Sequence, residues 1–468
     1  MSRVSRVKWS QATASGRWRI YKPPMPTVVV YPSEFNPPTL AERGAVEELG
    51  RRFDKVVVVP VGPDPQRDGA WEAPPVHRAA LADLTFFGLP NTVVDLADLE
   101  ADEPTCFRRL AEKYGKSFDL SFAASAERLV DTERRKRAGA DAVWNDGSWI
   151  VFGRTDRAAL PPKHVVLDVD LPDRGRELRR SALENRLLKH ELEPRTADYI
   201  LRHRLYQGVT PGRSTTKRFE PVRIMLDIDQ LNPKAIERAE DLRPLASNDP
   251  DLVVVLGGDG TMLRSIHRHW RHRLPFFGLN VGHVGHLMND ARKPFDGAVD
   301  LLLYQLPLLW VEMERTDGSM ASGLAFNDAW VERASGQTAW LRVTVDGARR
   351  MERVVADGML VSTAAGSTSY ARAMGAPPLP FHTPLLLLVG SNVFMPPSWK
   401  SAALRVESEV LIETPDPDRR PLVGYIDGAT QGNVRAMRVR TSRIAAVELA
   451  FLNEHDPMEK LARIQFPG

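Results

Sequence analysis

Cysteine is all but missing: Cys106 stands alone in 468 residues. A lone thiol closes no internal disulfide and completes no cysteine zinc site, which excludes disulfide-stapled and zinc-ribbon architectures. A reducing, cytoplasmic location is the expectation. Long apolar runs are missing as well. No stretch reaches the ~18 apolar residues that a membrane-spanning helix needs, so no membrane partner is expected. An excess of one charge is also absent: 63 basic residues face 60 acidic ones, a formal +3. That balance does not build the field on which nucleic-acid and anionic-lipid binders rely, and no nucleic acid is expected. Only the start is one-sided. Arg3, Arg6, Lys8, Arg17, Arg19 and Lys22 fall within residues 1–26, and no acidic residue precedes Glu34. Lacking a signal peptide's apolar core, this stretch is expected to be a flexible basic arm.

What is present is an ordinary globular composition, 43% hydrophobic and 26% charged, at a length that predicts two or three domains. Strand and helix patterns alternate through the first half. Strands are predicted at 27–31, 55–60, 92–96, 117–123, 149–153 and 164–169, helices at 40–53, 77–86 and 104–114, and one charged helical stretch at 177–204. Such alternation implies a parallel sheet covered on both faces. A Gly, Pro, Ser and Thr-rich stretch at 208–216 reads as a linker. The second half restarts with strands at 222–228, 252–256 and 276–279 and helices at 235–245 and 262–270. Short strands then follow one another at 308–313, 324–332, 339–345, 353–363, 403–413 and 422–426, the mark of an antiparallel unit.

One loop carries the chemistry. The apolar run Leu252 to Leu256 leads directly into Gly257, Gly258, Asp259, Gly260 and Thr261, with a helix pattern behind it. Glycines there let backbone N–H groups approach a phosphate, and the helix N-terminus favours its charge. A carboxylate in that cradle repels phosphate unless it holds a metal or takes a proton from an attacking hydroxyl. A ligand-free tight turn between strand and helix has the same pattern.

Further motifs follow in a fixed order: Asn280-x-Gly282-x-x-Gly285, Asn327-Asp328, Asp357-Gly358, Thr363 to Tyr370 through Gly366, Ser367 and Thr368, and a late Asp427-Gly428. Together with the Gly257 loop, residues 220–468 resemble the NAD kinases. The resemblance implies an α/β unit followed by a β-sandwich. It implies phosphoryl transfer from ATP, or polyphosphate, to the adenosine ribose 2′-hydroxyl of NAD, with magnesium arriving on the ATP and with a site built across subunits of a homo-oligomer. Asp259 becomes the catalytic residue. Gly257, Gly258, Gly260, Thr261, Gly366, Ser367 and Thr368 become the phosphate-binding set, and Asn327, Asp328, Asp357, Thr363 and Tyr370 the NAD-binding set. Asn327 and Asp328 offer the donors and acceptors that a ribose or an adenine needs. The chain departs from the family at Asp328, where a glutamate is usual, and at His286, where a phenylalanine is usual. It departs also at Ala364, Ala365 and Ala376.

The first half resembles the nicotinate and nicotinamide mononucleotide adenylyltransferases through Phe35, Asn36, Pro37, Pro38, His77 and Arg78 and through its strand–helix order. Their His-x-Gly-His motif is here Thr39-Leu40-Ala41-Glu42. Both imidazoles are gone, and Glu42 sets negative charge where negative charge develops. Of a later serine- and arginine-bearing motif only Ser181 and Arg186 remain. The expected fold is therefore α/β, a Rossmann-like nucleotidyltransferase domain at 27–208 without adenylyl transfer, a linker at 209–220, and a kinase-like domain at 221–468. Within the latter, 221–307 is the α/β part, 308–440 the sandwich and 441–468 a return segment. The alternatives are a non-catalytic NAD-binding regulator, a lipid kinase with the same glycine loop, and a bifunctional enzyme. The basic run 133–137 and the histidines His267, His269 and His272 read as surface. Trp330, Trp340 and Trp399 read as core or interface.

Overall fold

The structure is a computed structural model that describes residues 25–62, 72–101, 105–130, 140–153, 160–207, 214–282, 285–290, 295, 297–381, 383–455 and 457–466. All six basic residues of the arm, the basic run 133–137 and residues 209–213 of the expected linker lie outside the described residues. No described helix is long and apolar enough to cross a membrane. Two compact units emerge.

The first unit is a six-stranded sheet. In chain order it carries β1 (Thr27–Ser33), helix α1 (Leu40–Gly50), β2 (Lys55–Pro60), β3 (Thr92–Val94), a helix at Phe107–Tyr114, β4 (Asp119–Ser125), β5 (Ser148–Phe152) and β6 (His164–Leu167). Every pairing is parallel, in the order β3-β2-β1-β4-β5-β6. The valine runs in β1 and β2 are unbroken because both faces are covered. Val28, Val30, Val57 and Val59 pack with Phe107 and Leu110. Val29, Val56 and Val58, which alternate to the other face, are fully buried as well. The reversal of strand order falls between β1 and β4, the place where doubly wound sheets open a crevice.

The second unit holds Phe35–Thr39, helix α2 (Pro75–Phe86) and everything from Arg174 onward. The charged stretch expected as one helix is two, α3 (Gly175–Leu183) and α4 (Pro194–Arg202). Asn185 takes a left-handed φ of 55° after the first. Pro194 starts the second, whose free N–H groups are capped by the Glu193 carboxylate. Helices α2 and α4 share one apolar cluster, including Leu81, Leu84, Ala197 and Ile200. Two carboxylates buried beside it are paired with cations, as the cost of desolvation favours. Asp83 of α2 accepts from Arg271 Nη2 at 2.6 Å and Arg273 Nε at 2.9 Å. Glu448 pairs with Arg202 and His203.

Around this run a parallel and an antiparallel part of one sheet. The parallel part is β8 (Ile224–Ile228), β9 (Leu252–Gly257) and β10 (Phe276–Asn280), with helix α5 (Pro233–Leu242) between the first two and helix α6 (Asp259–His269) after β9. It is preceded by β7 (Ser214–Phe219), which occupies part of the expected linker and pairs antiparallel with β11 (Val299–Arg315). The antiparallel part continues through β12 (Met320–Ala325), β13 (Asp328–Arg333), β14 (Ala339–Val345), β15 (Ala348–Ala356), β16 (Gly358–Ser362), β17 (Leu385–Ser391), β18 (Ser401–Arg405), β19 (Val410–Glu413), β20 (Leu422–Ile426) and β21 (Ala429–Leu452). Helix α7 (Pro457–Gln465) closes the chain.

Strands β11 and β21 unite the two parts. They pair with each other along most of their length, and β21 also pairs in parallel with β10. The expected divisions at 307/308 and 440/441 both fall inside these strands. Three apolar stretches that read as single strands are interrupted, at Asn327, at Asp357 and at residues 406–409. At each break the chain changes its pairing partner: β12 pairs with β11, whereas β13 pairs with β16 and β20. Two of these breaks are at predicted site residues.

Candidate active site

The loop after β9 is shaped by what each glycine faces. A Cβ on Gly257 would stand 2.5 Å from Thr261 Oγ1 and 2.6 Å from its Cβ, so only glycine lets helix α6 start this tightly. Gly258 and Gly260 differ. Nothing lies within 4 Å of a Cβ on Gly258, and only Arg264 Nη1, at 3.8 Å, approaches one on Gly260. The bare backbone there faces open space that a ligand's oxygens can enter. Thr261 is buried, and its hydroxyl donates to Asp229 Oδ2 at 3.2 Å while accepting from Arg264 Nη2 at 3.1 Å. Its role in the geometry is therefore to hold the loop on β8's end, with Arg264 as the cation brought alongside.

Asp259 is the first residue of α6 and half-buried. Its carboxylate accepts from His286 N (Oδ2) and from Leu287 N (Oδ1), both at 3.0 Å. Two N–H groups fix both oxygens, and each oxygen keeps a further lone pair with which a proton can be taken. The loop that supplies these amides is itself pinned. Asn289 is fully buried; its Nδ2 donates to the Gly278 and Ala450 carbonyls, and its Oδ1 accepts from Leu452 N. Gly285 is required for the same fit, since a Cβ there would meet Met288 Cγ at 2.8 Å. The His286 ring is half-buried, and burial holds its pKa below the ordinary value, so it is neutral near pH 7. It lines a small cleft with Thr368, Leu379, Phe381, Met458 and Lys460.

A second cluster is organised by Asp427. This residue has a left-handed φ of 44°. Its carboxylate accepts from Phe326 N at 2.6 Å, Asn327 N at 2.9 Å, Asp328 N at 3.1 Å and His267 Nε2 at 2.8 Å. His267 lies on α6, two turns beyond Asp259, so this bond couples the helix that carries Asp259 to the turn that carries Asn327 and Asp328. The same turn is locked from its other side. Thr363 Oγ1 donates to Phe326 O at 2.8 Å and accepts from Gly366 N at 3.0 Å, while Thr363 N donates to Asn327 O at 2.9 Å. Gly366 packs flat on that turn, where a Cβ would sit 2.2 Å from Asn327 O. Ser367 is fully buried, and its hydroxyl bridges Ala364 O and Leu379 N. Thr363 and Ser367 thus spend their hydroxyls inside the fold and present shape rather than donors to a ligand. Asn327 keeps its side-chain amide unbonded among the described residues and half-exposed.

Asp328 is 3% exposed, and its Oδ2 has no hydrogen-bond partner. Burial, with the Asp427 charge adding to it, pushes its pKa up to about 8. The carboxyl is therefore neutral at pH 7 and offers both a donor and an acceptor. A group that binds its proton in the native state and releases it in the unfolded state costs stability as pH rises. Thermal stability is expected to fall between about pH 4 and about pH 8 and then level, and Asp328→Asn to flatten that slope. Melting curves across the range, with a slope unchanged in the variant, would remove Asp328 as its source.

The structure gathers Asp259, the Gly258–Gly260 backbone and the His286 loop at one end of α6, and Asn327, Asp328, Thr363 and Gly366 around Asp427. Asp357 stands apart at the opposite end of β16 from Thr363, a strand length of roughly 20 Å away. Its carboxylate is taken by Arg333 Nε at 2.6 Å and Asn392 Nδ2 at 2.8 Å. Tyr370 lies edge-on to Trp330, whose other neighbour, Tyr425, is stacked on it at 4.7 Å. The degenerate first-half motif is divided between the units. Glu42 accepts from Ser33 Oγ at 3.3 Å in the first. Thr39 is buried in the second, where the Ser181 hydroxyl donates to Leu178 O at 2.8 Å and Arg186 is exposed. Among the described residues, no three His, Cys, Asp or Glu side chains form a metal-binding group. Sequence reasoning missed Asp229, Arg264, Asn289 and Lys460. It named Asp427 and His267 without a role, although a late Asp-Gly at a positive-φ turn was the available signal for the first.

The family description "ATP-NAD kinase N-terminal domain" matches residues 185–305. The NAD kinase of Rickettsia peacockii is 30% identical over 243 residues, which span 51% of this chain and 95% of that protein. The NAD kinase of Hyphomonas neptunium is 35% identical over 225 residues, spanning 47% and 88%. The solved structure of yeast NADH kinase complexed with NADH aligns over 53% of this chain and 89% of its own at 16% identity, with a TM-score of 0.45.

Proposed function

This chain belongs to the NAD kinase family, and we propose that it transfers the terminal phosphoryl group of ATP to the adenosine ribose 2′-hydroxyl of NAD, with Asp259 set against that hydroxyl. The observation that carries the reading is the Asp259 carboxylate, fixed by two backbone N–H groups beside a glycine backbone open to phosphate. Phosphoryl transfer asks the protein mainly for in-line positioning and charge neutralisation. Gly258 and Gly260 offer N–H groups to the donor's oxygens, and Arg264 adds charge. Asn327 and neutral Asp328 suit the adenosine part of the acceptor. Magnesium supplies further neutralisation when it enters on the ATP phosphates, and needs no protein cage of its own. The test is NADP formation by the purified chain with NAD, ATP and magnesium, run beside polyphosphate as donor. Binding of NAD without NADP in either case would leave a non-catalytic NAD-binding regulator, and turnover of diacylglycerol or sphingosine instead would move the reading to a lipid kinase.

The glycines separate fold from chemistry. Gly257→Ala is expected to destabilise by about 1–3 kcal/mol through overpacking against Thr261. Gly258→Ala has room, so melting is expected to stay within a degree or two while kcat/KM falls by about 10²-fold as the donor is displaced. Equal stability losses in the two variants would sink that assignment of Gly258.

The first half of the chain reads as a nucleotidyltransferase-like scaffold that transfers no adenylyl group, because its motif carries Thr39 and Glu42 at the two sequence positions of the phosphate-neutralising imidazoles. Adenylyl transfer from ATP to nicotinamide or nicotinate mononucleotide would make the chain bifunctional instead. Asp357, remote from the Thr363 turn, fits a homo-oligomer in which it serves the nicotinamide end of a neighbouring subunit's site. A cytoplasmic location suits the single cysteine.

A further inference from the structure

Lys460, on the C-terminal helix α7, is separated from Asp259 by a single peptide group. Its Nζ donates to Gly285 O at 2.9 Å and Met288 O at 2.6 Å, and lies 2.8 Å from Asp290 Oδ2. The Gly285 carbonyl and the His286 N–H belong to one planar peptide unit, and that N–H is the one 3.0 Å from Asp259 Oδ2. Ammonium, peptide and carboxylate therefore form one continuous chain. A cation on the carbonyl oxygen polarises the amide and strengthens the bond that its N–H makes.

The second contact adds geometry. Gly285 and Met288 bracket the two residues whose amides hold Asp259, and Lys460 grips both carbonyls at once. The ammonium itself is fixed by Asp290, which accepts from Asn280 Nδ2 at 2.9 Å, so the clamp is anchored to the end of β10. The Lys460 side chain is only 17% exposed. A half-buried cation gains from such partners, and these three belong to the loop that holds the Asp259 carboxylate.

We propose that Lys460 is a positioning residue for Asp259: it sets the polarity of the His286 amide and the spacing of the His286 and Leu287 amides, and so the orientation of the carboxylate against the acceptor hydroxyl. The proposal rests on the reading of Asp259 as the residue set against that hydroxyl. Lys460→Met keeps the length of the stem and removes the charge and donors. It is expected to lower kcat by about 10- to 100-fold, since displacements near 1 Å cost this much, while KM for NAD and ATP stays within about threefold. Lys460→Arg, which retains a cation and two donors, is expected to recover most of kcat. Lys460→Gln, which keeps one donor to hold the loop, covers the case in which the methionine variant does not fold, and is expected to lose kcat in the same sense. A merely structural role predicts instead that Gln and Arg behave alike and that loss follows melting temperature. A kcat within twofold of the parent chain in the folded Met or Gln variant, or a loss carried entirely by KM, overturns the proposal. Asp259→Asn tells the two readings apart. If it is inactive while Lys460→Met is fully active, only the clamp falls; if it is fully active, both fall.

Discussion

Asp259→Asn is expected to lower the rate of NADP formation by about 10²–10⁴-fold, the range that a positioned acid–base group contributes. Two losses combine. The carboxamide cannot accept the 2′-hydroxyl proton at neutral pH. It also has one acceptor oxygen where the loop presents two donors, the His286 and Leu287 amides, so its NH₂ would face an N–H and push the loop away. NAD binding, which the proposed function assigns to Asn327 and Asp328, should change little. Initial rates beside calorimetric titration with NAD test both halves. A variant that keeps activity within tenfold of the parent would show that Asp259 neither receives nor orients the proton. A variant that loses NAD binding in step with rate would instead make the residue structural.

Asp427→Ala should cost as much activity from a residue that touches no substrate. Removing the carboxylate strands three backbone N–H groups and His267. Orphaned buried donors cost about 1–3 kcal/mol each, and alanine at a φ of 44° adds roughly 1 kcal/mol of strain. A destabilisation of about 3 kcal/mol or more is therefore expected in chemical denaturation. With it the turn holding Asn327 and Asp328 loses its registration to α6, so KM for NAD should rise. Asp427→Asn keeps one acceptor and should fall between. A stable Asp427→Ala protein with an unchanged KM would mean that the Thr363 side of the turn holds Asn327 unaided.

These two residues mark how unevenly the site can be read. Asp259 was legible because its motif is local: an apolar strand, three glycines and a helix start fall within ten residues. Asn327, Asp328, Thr363 and Gly366 were legible as motifs, but their division of labour was not. Ser367 and Thr363 look like ligand donors in sequence, since a hydroxyl beside glycine is compatible with either role. Burial assigned both to the fold. Asp328 reads as a carboxylate, and only its enclosure beside Asp427 makes it a neutral acid. Lys460 left no signal at all, because its partner Gly285 is 175 residues away.

The same split runs through the architecture. Parallel strands in the first half followed from unbroken valine runs between helices, because a strand buried on both faces has no polar side. Strands β11 and β21 were invisible as single elements. Their burial pattern switches along their length as they leave the parallel part for the antiparallel one, so no single period runs through them. By itself the sequence determined the groups available: a carboxylate in a glycine-rich turn between strand and helix, an adjacent amide and carboxyl at Asn327 and Asp328, and a single cysteine. Tertiary structure alone decided which of these groups stay accessible and which hold the others in place, because burial and long-range hydrogen bonds depend on neighbours that the local sequence does not contain.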